Sequence, residues 1–540
     1  MTMQDAFAAL TAPGAEFEIV EDSDGLRVFR NAPRTLTDIY EASAGQYGER
    51  TFLLFEDQSL TFAQFFARAE WMRRHIGAKP GERIGLAMRN RPEWLIAFVA
   101  ITASGASAVL VNSRGTPADM AAAVKIADCR IVIADAPRAR GLAEAGSDAR
   151  IIDVDDAQAF AMAEAGPLQP VAVDPLAEAA VIFTTGTSGR AKGAMHSHRS
   201  VIAALMNIAF SRAATMFDAL RDLPPETLAA MANIQPSVLT PYPLFHVAGL
   251  NSDFLTFLRT GGKMVLMGKW DGAQALDLIE RERIMAVSGS PAMVWDMLRA
   301  DDGSRDLSAL RGLGVGGQAL PPKLFEDVRR AFPNAGFGCG FGQTEVGGPV
   351  SSAGLPALLA KPGSSGKPVP VNDVAIIADD GSRCAPGEAG EIVVRGACAA
   401  SGYCGQPEES AQTFRDGWVH TGDVGYLDGD GALFVVDRKR SIIVSGGENI
   451  ALSDIEHAAH ACADVLDAGA YGVADERMGE LPALAVVLRE GATFDEAALR
   501  GQLAERLAAY KMPCRIVALD AIPRNHMGKI DRPRLSSLAG

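Results

Sequence analysis

VIFTTGTSGRAKG, residues 181–193, starts with Val181, Ile182 and Phe183 and runs into a stretch dense in glycine, threonine and serine that ends at Lys192. The apolar start reads as a buried strand and the remainder as the loop that follows it. Glycine lets a backbone approach an anion closely, hydroxyls and amides donate hydrogen bonds, and lysine pairs with phosphate. The segment therefore reads as a phosphate-binding loop, against the plain alternative of a flexible surface turn. It is not the Gly-x-x-x-x-Gly-Lys-Ser/Thr loop, because Gly193 stands where that loop needs a hydroxyl.

Outward from this strand, helical and strand patterns alternate from about residue 50, which argues for α/β layers with largely parallel sheets. Thr61 to Ile76 is expected to be an amphipathic helix, with Phe62, Phe65, Phe66, Ala69, Met72 and Ile76 on one face, Thr61 and Gln64 as a capping box, and Gly77 after the end. Ile151–Val154, Ala180–Phe183 and Lys263–Met267 read as strands between helices. Around residues 363–440 short strands and turn dipeptides predict a smaller β-rich portion, and from Ser453 onward helix and strand alternate again. The boundary is expected at Asp437-Arg438-Lys439-Arg440, giving a domain over 1–436, a hinge over 437–440 and a domain over 441–540.

The 540 residues are too many for one core, and 48% hydrophobic with 22% charged residues is the composition of folded domains. A formal net charge of -15 repels a phosphate backbone and argues against nucleic acid as the main partner, while leaving local sites for small anions. The seven cysteines are scattered without a Cys-x-x-Cys pair, and the N-terminus lacks the basic start and apolar core of a signal peptide, so a cytoplasmic location is expected. The charge-free run Trp94–Val111 is just long enough to span a membrane, but its interruptions read instead as a buried helix followed by the strand Ala108–Val111. No integral membrane segment is expected.

Further unusual clusters are Pro243-Leu244-Phe245-His246-Val247-Ala248-Gly249, Gly316-Gly317-Gln318-Ala319 and Gly340-Phe341-Gly342-Gln343-Thr344-Glu345. Then come Gly417-Trp418-Val419-His420-Thr421-Gly422-Asp423, Ser445-Gly446-Gly447-Glu448-Asn449 and Pro523-Arg524-Asn525-His526-Met527-Gly528-Lys529-Ile530. Glu345 beside bound phosphates would suit magnesium, because hard cations prefer oxygen donors. His196 and His198 have no accompanying metal-ligating cluster and read as solvent-facing or structural.

In this order and spacing the segments resemble the adenylate-forming superfamily of acyl-CoA synthetases, insect luciferases and peptide-synthetase adenylation domains, from about residue 35 to the end. The resemblance implies a large N-terminal domain of two α/β subdomains plus a β-barrel portion, with a small mobile α+β C-terminal lid domain. Residue by residue it implies that Thr184, Thr185, Gly186, Thr187, Ser188, Gly189 and Lys192 hold phosphate. Gly317, Gln318, Ala319, Phe341, Gly342 and Gln343 surround adenine, and Asp423 and Arg438 take the ribose hydroxyls. Thr344 and Glu345 serve the α-phosphate and magnesium, His246 lies by the substrate carboxylate, Lys529 is the lid lysine of adenylation, and Arg440 is the hinge. Cys339 departs from the Asn or Asp of many relatives at the adenine edge.

The implied reaction joins a carboxylic acid to ATP as acyl-AMP, releases pyrophosphate, and passes the acyl group to coenzyme A, with Mg2+ as cofactor. Gly446 and Gly447 would let the pantetheine arm pass. Phe245, Val247, Trp295, Gly342 and Val346 would line the acyl pocket. Glycine at 342, where acetate-specific relatives carry tryptophan, implies an acid larger than acetate, whether medium- or long-chain, aromatic or alicyclic. The alternatives are a stand-alone adenylating enzyme that loads a carrier protein and a catalytically silent nucleotide-binding paralogue, against which Lys192, Glu345 and Lys529 stand intact. A homodimer is compatible with the sequence.

Overall fold

The computed structural model describes the chain except residues 1–2, 157, 159, 161, 186–190, 221–222, 225, 228–230, 232, 316–321, 439–440, 446–447, 476–477, 508–510, 525–528 and 540. It divides into two compact units: residues 1–374, 393–421 and 431–433, and residues 375–392, 422–430 and 434–540. The second unit thus begins near the expected boundary but also takes two earlier segments. Strand pairing explains this, because Leu433–Arg438 pairs with the long strand Trp418–Leu427, and Gly387 donates its N–H to the Leu427 carbonyl at 2.8 Å.

Two sheets organise the first unit. One has six strands in the order Ala191–Ser197, Glu178–Thr185, Ser107–Leu110, Arg83–Ala87, Ile131–Ala134, Arg150–Asp153, parallel throughout except for the first pair. Strands such as SAVL and IVIA are almost wholly apolar because a parallel sheet is covered on both faces. The expected helix over Thr61–Ile76 forms as Phe62–Ile76, with the reciprocal Thr61–Gln64 cap, Gly77 in the left-handed region at φ 65°, and all six predicted apolar residues buried. Trp94–Val111 is also as expected, a buried helix Pro92–Ala103 followed by a strand, although that strand runs one residue earlier, Ser107–Leu110.

The second sheet has nine strands in the order Lys367–Pro368, Gly348–Gly354, Gly336–Gln343, Gly312–Val315, Ala286–Gly289, Ser237–Thr240, Lys263–Leu266, Thr51–Phe55, Gln58–Thr61. Side-chain alternation along its central strands supplies two cores. Val238, Met264 and Leu266 join Trp94, Phe98, Phe245 and Phe254, whereas Leu239, Val265, Val287 and Phe337 join Leu276, Ile279 and Leu324. Helix His198–Leu220 is long and apolar enough by length and composition to cross a membrane, but 61% of its apolar window is buried in the protein, where it packs on strand Gly348–Gly354.

The β-rich portion takes the form of a five-stranded sheet of Asn372–Ile377, Gly390–Gly396, Trp418–Leu427 and Phe414–Arg415, with Leu433–Arg438 added on Trp418–Leu427. The second unit contains another five-stranded sheet, in which Gly479–Leu488 pairs with Ile442–Ser445, Val465–Asp475 and Arg515–Ala518. Helices Leu452–His460 and Glu496–Ala504 contribute Ile455, Leu499 and Leu503 to its core.

Antiparallel pairing of Gly336–Gln343 with Gly348–Gly354 explains a glycine that the resemblance assigns to pocket volume. A β-carbon on Gly342 would collide with the Gly348 carbonyl oxygen and stand 3.0 Å from the Pro349 Cα, so this backbone requires glycine there. Gly342→Ala is accordingly expected to lower stability by about 1–3 kcal/mol. Gly314→Ala is the control, since its added carbon would meet nothing nearer than Ser288 Oγ at 3.5 Å. Thermal unfolding of the two variants measures the difference, and equal midpoints would remove the steric argument.

Candidate active site

The opening segment of the sequence folds as an antiparallel hairpin. Glu178–Thr185 pairs with Ala191–Ser197, placing Lys192 opposite Thr184. Gly186, Thr187, Ser188 and Gly189 fall outside the described residues, as does the Thr185 side chain. A strand rather than a helix follows this loop, which separates it structurally as well as in sequence from the Walker type.

Residues 401–406 are stapled along the outer side of the second hairpin strand. Ser401 and Cys404 donate backbone N–H groups to the Met195 and Gly193 carbonyls at 2.9 and 2.8 Å, Met195 donates to Gly402 at 2.9 Å, and Gln406 Nε2 reaches the Ala191 carbonyl at 3.1 Å. Tyr403 is thereby fixed beside the loop lysine. The Lys192 ammonium lies 5.0 Å from the centre of the Tyr403 ring, and the Tyr403 hydroxyl donates to Glu345 Oε1 at 2.7 Å. Burial together with the Glu345 charge pushes the phenol well above its ordinary range, so it stays a donor.

Glu345 sits in the short 3-10 turn Thr344–Val346, which ends at Gly347 with φ 64°, a conformation suited to glycine. Two buried side chains hold this turn. His196 Nε2 donates to the Thr344 carbonyl at 2.8 Å and Nδ1 faces Ser200 Oγ at 3.3 Å, while Asn251 Nδ2 donates to the Gly347 carbonyl at 2.7 Å. Burial depresses the His196 pKa to about 4, leaving the ring neutral near pH 7. His198 is also fully buried, its Nδ1 accepting from the Leu36 N–H at 3.2 Å. Of the two sequence readings for this pair, the structural one holds.

His246 follows Phe245, with ring centres 4.3 Å apart, and precedes an unusual π-helical segment, Ala248–Leu255. Phe245 packs in the first core and Val247 against it, and Val346 is buried, but Trp295 packs against the second core. The grouping of Trp295 with Phe245 and Val247 is therefore corrected. Phe341 is half-buried on the glycine-rich strand, and Cys339 is a mostly buried thiol whose pKa burial pushes up to about 11.

In the second unit, Asp423 is buried on strand Trp418–Leu427, Arg438 ends strand Leu433–Arg438, and Lys529 directly precedes Ile530, which bridges to Arg524. Gly317, Gln318, Ala319, Arg440, Gly446 and Gly447 lie outside the described residues. Among the described residues no three His, Cys, Asp or Glu side chains gather as a metal cage. That donor set still fits magnesium, which is commonly held by one or two carboxylates with phosphate oxygens and water. Glu345 offers such a carboxylate, with one oxygen anchored by Tyr403.

The profile of the AMP-binding enzyme family matches residues 40–404, and that of the AMP-binding enzyme C-terminal domain matches 454–529. The chain belongs to the AMP-binding enzyme family. It is 33% identical to a 2-succinylbenzoate–CoA ligase of Geobacillus kaustophilus across 88% of this chain and 93% of that protein. It is 35% identical to an indoleacetate–CoA ligase of Aromatoleum aromaticum across 68% of each. Among solved structures, o-succinylbenzoate CoA synthetase from Bacillus subtilis with ATP and magnesium ion superposes with a TM-score of 0.77 at 27% identity, covering 92% of this chain and 99% of the other.

Sequence reading named both ends of the Lys192–Glu345 link but missed Tyr403, His196 and Asn251 as its supports. Only the proximity of Gly402 and Tyr403 to turn-forming Gly405 and Pro407 hints at an ordered segment there. Tyr403→Phe keeps the ring beneath Lys192 and removes the hydroxyl donor. Loss of one hydrogen bond to a charged group is worth about 1.5–3 kcal/mol, so adenylation is expected to fall by about tenfold or more with a raised magnesium requirement. Pyrophosphate release titrated against magnesium chloride checks this, and an unchanged magnesium dependence would contradict it.

Proposed function

We propose that this chain is an ATP-dependent acyl-CoA synthetase whose acid is larger than acetate and, more narrowly, aromatic. The observation that carries the reading is the joining of Lys192, Tyr403 and Glu345, which sets a phosphate-pairing cation and a carboxylate on one aromatic support. The acceptor and the acid class draw further support from the 2-succinylbenzoate and indoleacetate CoA ligases, both named for acids that carry an aromatic ring.

A carboxylate is a poor electrophile, and two displacements solve the problem. A carboxylate oxygen attacks the α-phosphorus of ATP, the bond to the β-phosphate oxygen breaks, and pyrophosphate leaves. The coenzyme A sulfur then attacks the acyl carbon of the mixed anhydride, the carbon–oxygen bond to phosphate breaks, AMP leaves, and the thiol proton passes to solvent. Thr184, Thr185, Gly186, Thr187, Ser188, Gly189 and Lys192 take the phosphates, and Thr344 donates toward the α-phosphate. Glu345 would hold magnesium, which when bound spreads the negative charge that grows on phosphate. His246 orients the acid, Gly317 to Ala319 and Phe341 to Gln343 surround adenine, and Asp423 with Arg438 takes ribose. Gly446 and Gly447 admit the pantetheine arm, and Arg440 is the pivot between the two reactions.

Pyrophosphate release from a panel of acetate, hexanoate, benzoate and arylacetates, followed by thioester detection after coenzyme A is added, tests the proposal. Aryl acids are expected to exceed acetate in kcat/KM by about a hundredfold, the scale on which a filled apolar pocket discriminates. Preference for acetate would overturn the acid class, and pyrophosphate without thioester would overturn the acceptor.

Lys529 is assigned to the first displacement alone, where its ammonium draws the acid carboxylate and the α-phosphate together. Lys529→Ala is expected to slow adenylation by about a hundredfold to a thousandfold, as loss of one transition-state donor does. Thioester formation from synthetic acyl-adenylate should be nearly unchanged. Similar losses in both steps would defeat the assignment.

A further inference from the structure

A cavity of about 590 Å³ lies in the first unit at one end of the hairpin that carries Lys192. Its lining includes Glu178 and Ser197, which pair across that hairpin. Ser197 follows Lys192 by five strand residues, about 17 Å at strand rise, so the cavity is separate from the loop at 184–192. Its volume is that of a small-molecule site, and no step of the proposed reaction uses it.

Most charges on its wall are already paired. Arg199 holds Asp24 at 2.7 Å and Asp22 at 3.0 Å, and Arg83 closes a two-pronged pair on Glu178 at 2.7 and 2.6 Å. Arg395 differs. It stands half-buried on strand Gly390–Gly396 and, among the described residues, has no hydrogen-bond or ion-pair partner. Arg199 Nε is buried without a partner as well. A half-buried guanidinium has lost hydration without replacement, and its planar fork matches a carboxylate. Asp416 is the other unpaired charge on the wall, and it is exposed, where water weakens its field.

Around this cation the wall is apolar and closely built. Leu26 and Leu176 supply hydrocarbon, and the strand that bears Arg395 is pressed on its neighbour, since a β-carbon on Gly396 would stand 2.7 Å from Asn372 Oδ1. His196, whose Nε2 holds the Thr344 carbonyl, forms another part of the wall. Asp24 and Leu26 precede residue 40, where the family match begins, so the cavity depends on residues outside that match. One unpaired cation in a cavity with apolar sides calls for a ligand of matching form.

We infer that this cavity binds a small monocarboxylic acid, with the carboxylate on Arg395 and the apolar body against Leu26 and Leu176. The site is additional to the one at which an acid would be activated. Its ligand has two possible sources, a second molecule of an acid that the chain activates or an acid that it does not, and the same chemistry serves both.

Equilibrium dialysis of radiolabelled phenylacetate against the full chain, without ATP, tests this. Wild type is expected to show a saturable component that Arg395→Gln weakens by about tenfold to a hundredfold, as loss of a charge-assisted two-pronged contact does. The neutral isostere phenylacetamide should not displace that component. Leu176→Asp, at a position 62% exposed and so harmless to folding, places a like charge beside the ligand and should weaken the same component. Melting curves report on folding, and if Arg395→Gln does not fold, Leu176→Asp decides alone. A wild type without a component that the folded variants weaken overturns the inference, as does equal displacement by phenylacetate and phenylacetamide. Displacement by hexanoate or benzoate, read against which of them releases pyrophosphate, assigns the source. Absence of pyrophosphate with every acid would defeat the proposed function and leave this test standing.

Discussion

The carbonyl of Thr344 accepts its hydrogen bond from a histidine with no access to water, and the position of Glu345 depends on that contact. A 3-10 turn of three residues has little hydrogen bonding of its own, so its shape must come from outside. His196 fixes one end and Asn251 the other, and Tyr403 then takes one oxygen of the carboxylate that projects between them. The three supports come from three separate stretches of chain, namely the hairpin that carries Lys192, the π-helical segment and the stapled segment at 401–406. A site held in this way is preorganised before any nucleotide arrives, which is the condition under which fixed charges stabilise a developing phosphate charge.

The protein carries a net charge of -15 and yet sets a cation where phosphate is expected, and the two facts are compatible because short-range geometry outweighs a distant average. Lys192 rests on the Tyr403 ring rather than on a carboxylate. A ring attracts an ammonium without neutralising it, so the charge remains available to a ligand. The carboxylate nearby is engaged by a neutral phenol, which orients it and leaves its charge intact. Cation and anion are thus both held by one neutral side chain, and neither is consumed by the other.

Much of the fold was legible in the sequence because its signals are local. Thr61, Gln64 and Gly77 announce the ends of one helix, and its apolar spacing announces the buried face. The same holds for the strand at 181–183 and for the helix within Trp94–Val111. The site was legible only where a motif carried it. Tyr403 and Glu345 are 58 residues apart, and Asn251 and Gly347 are 96 apart, and no periodicity relates residues at such separations. Trp295 was misplaced because apolar character alone does not say which face of a doubly covered sheet a helix packs upon. Gly342 was read for what its missing side chain opens, whereas the adjacent strand requires that it be missing.

The distribution of the named residues matches the demands proposed for two successive reactions, one at the α-phosphorus of ATP and one at the acyl carbon. Lys192, Glu345 and His246 belong to the first unit, and Asp423, Arg438 and Lys529 to the second. Phosphate contacts are needed from the binding of ATP until AMP departs, so they belong on a rigid sheet whose buried strands keep them in place. The lysine proposed to draw two anions together would have a shorter task. Once the anhydride exists, an ammonium at the same point would stabilise the adenylate that must next be consumed and would occupy space beside the carbon that the thiol attacks. Only interactions that are stronger in a transition state than in the ground state speed the step concerned. A group useful in the first displacement and a hindrance in the second is best carried by a part of the chain that folds around its own core, as the residues around Lys529 do through Tyr471, Ile522 and Leu535.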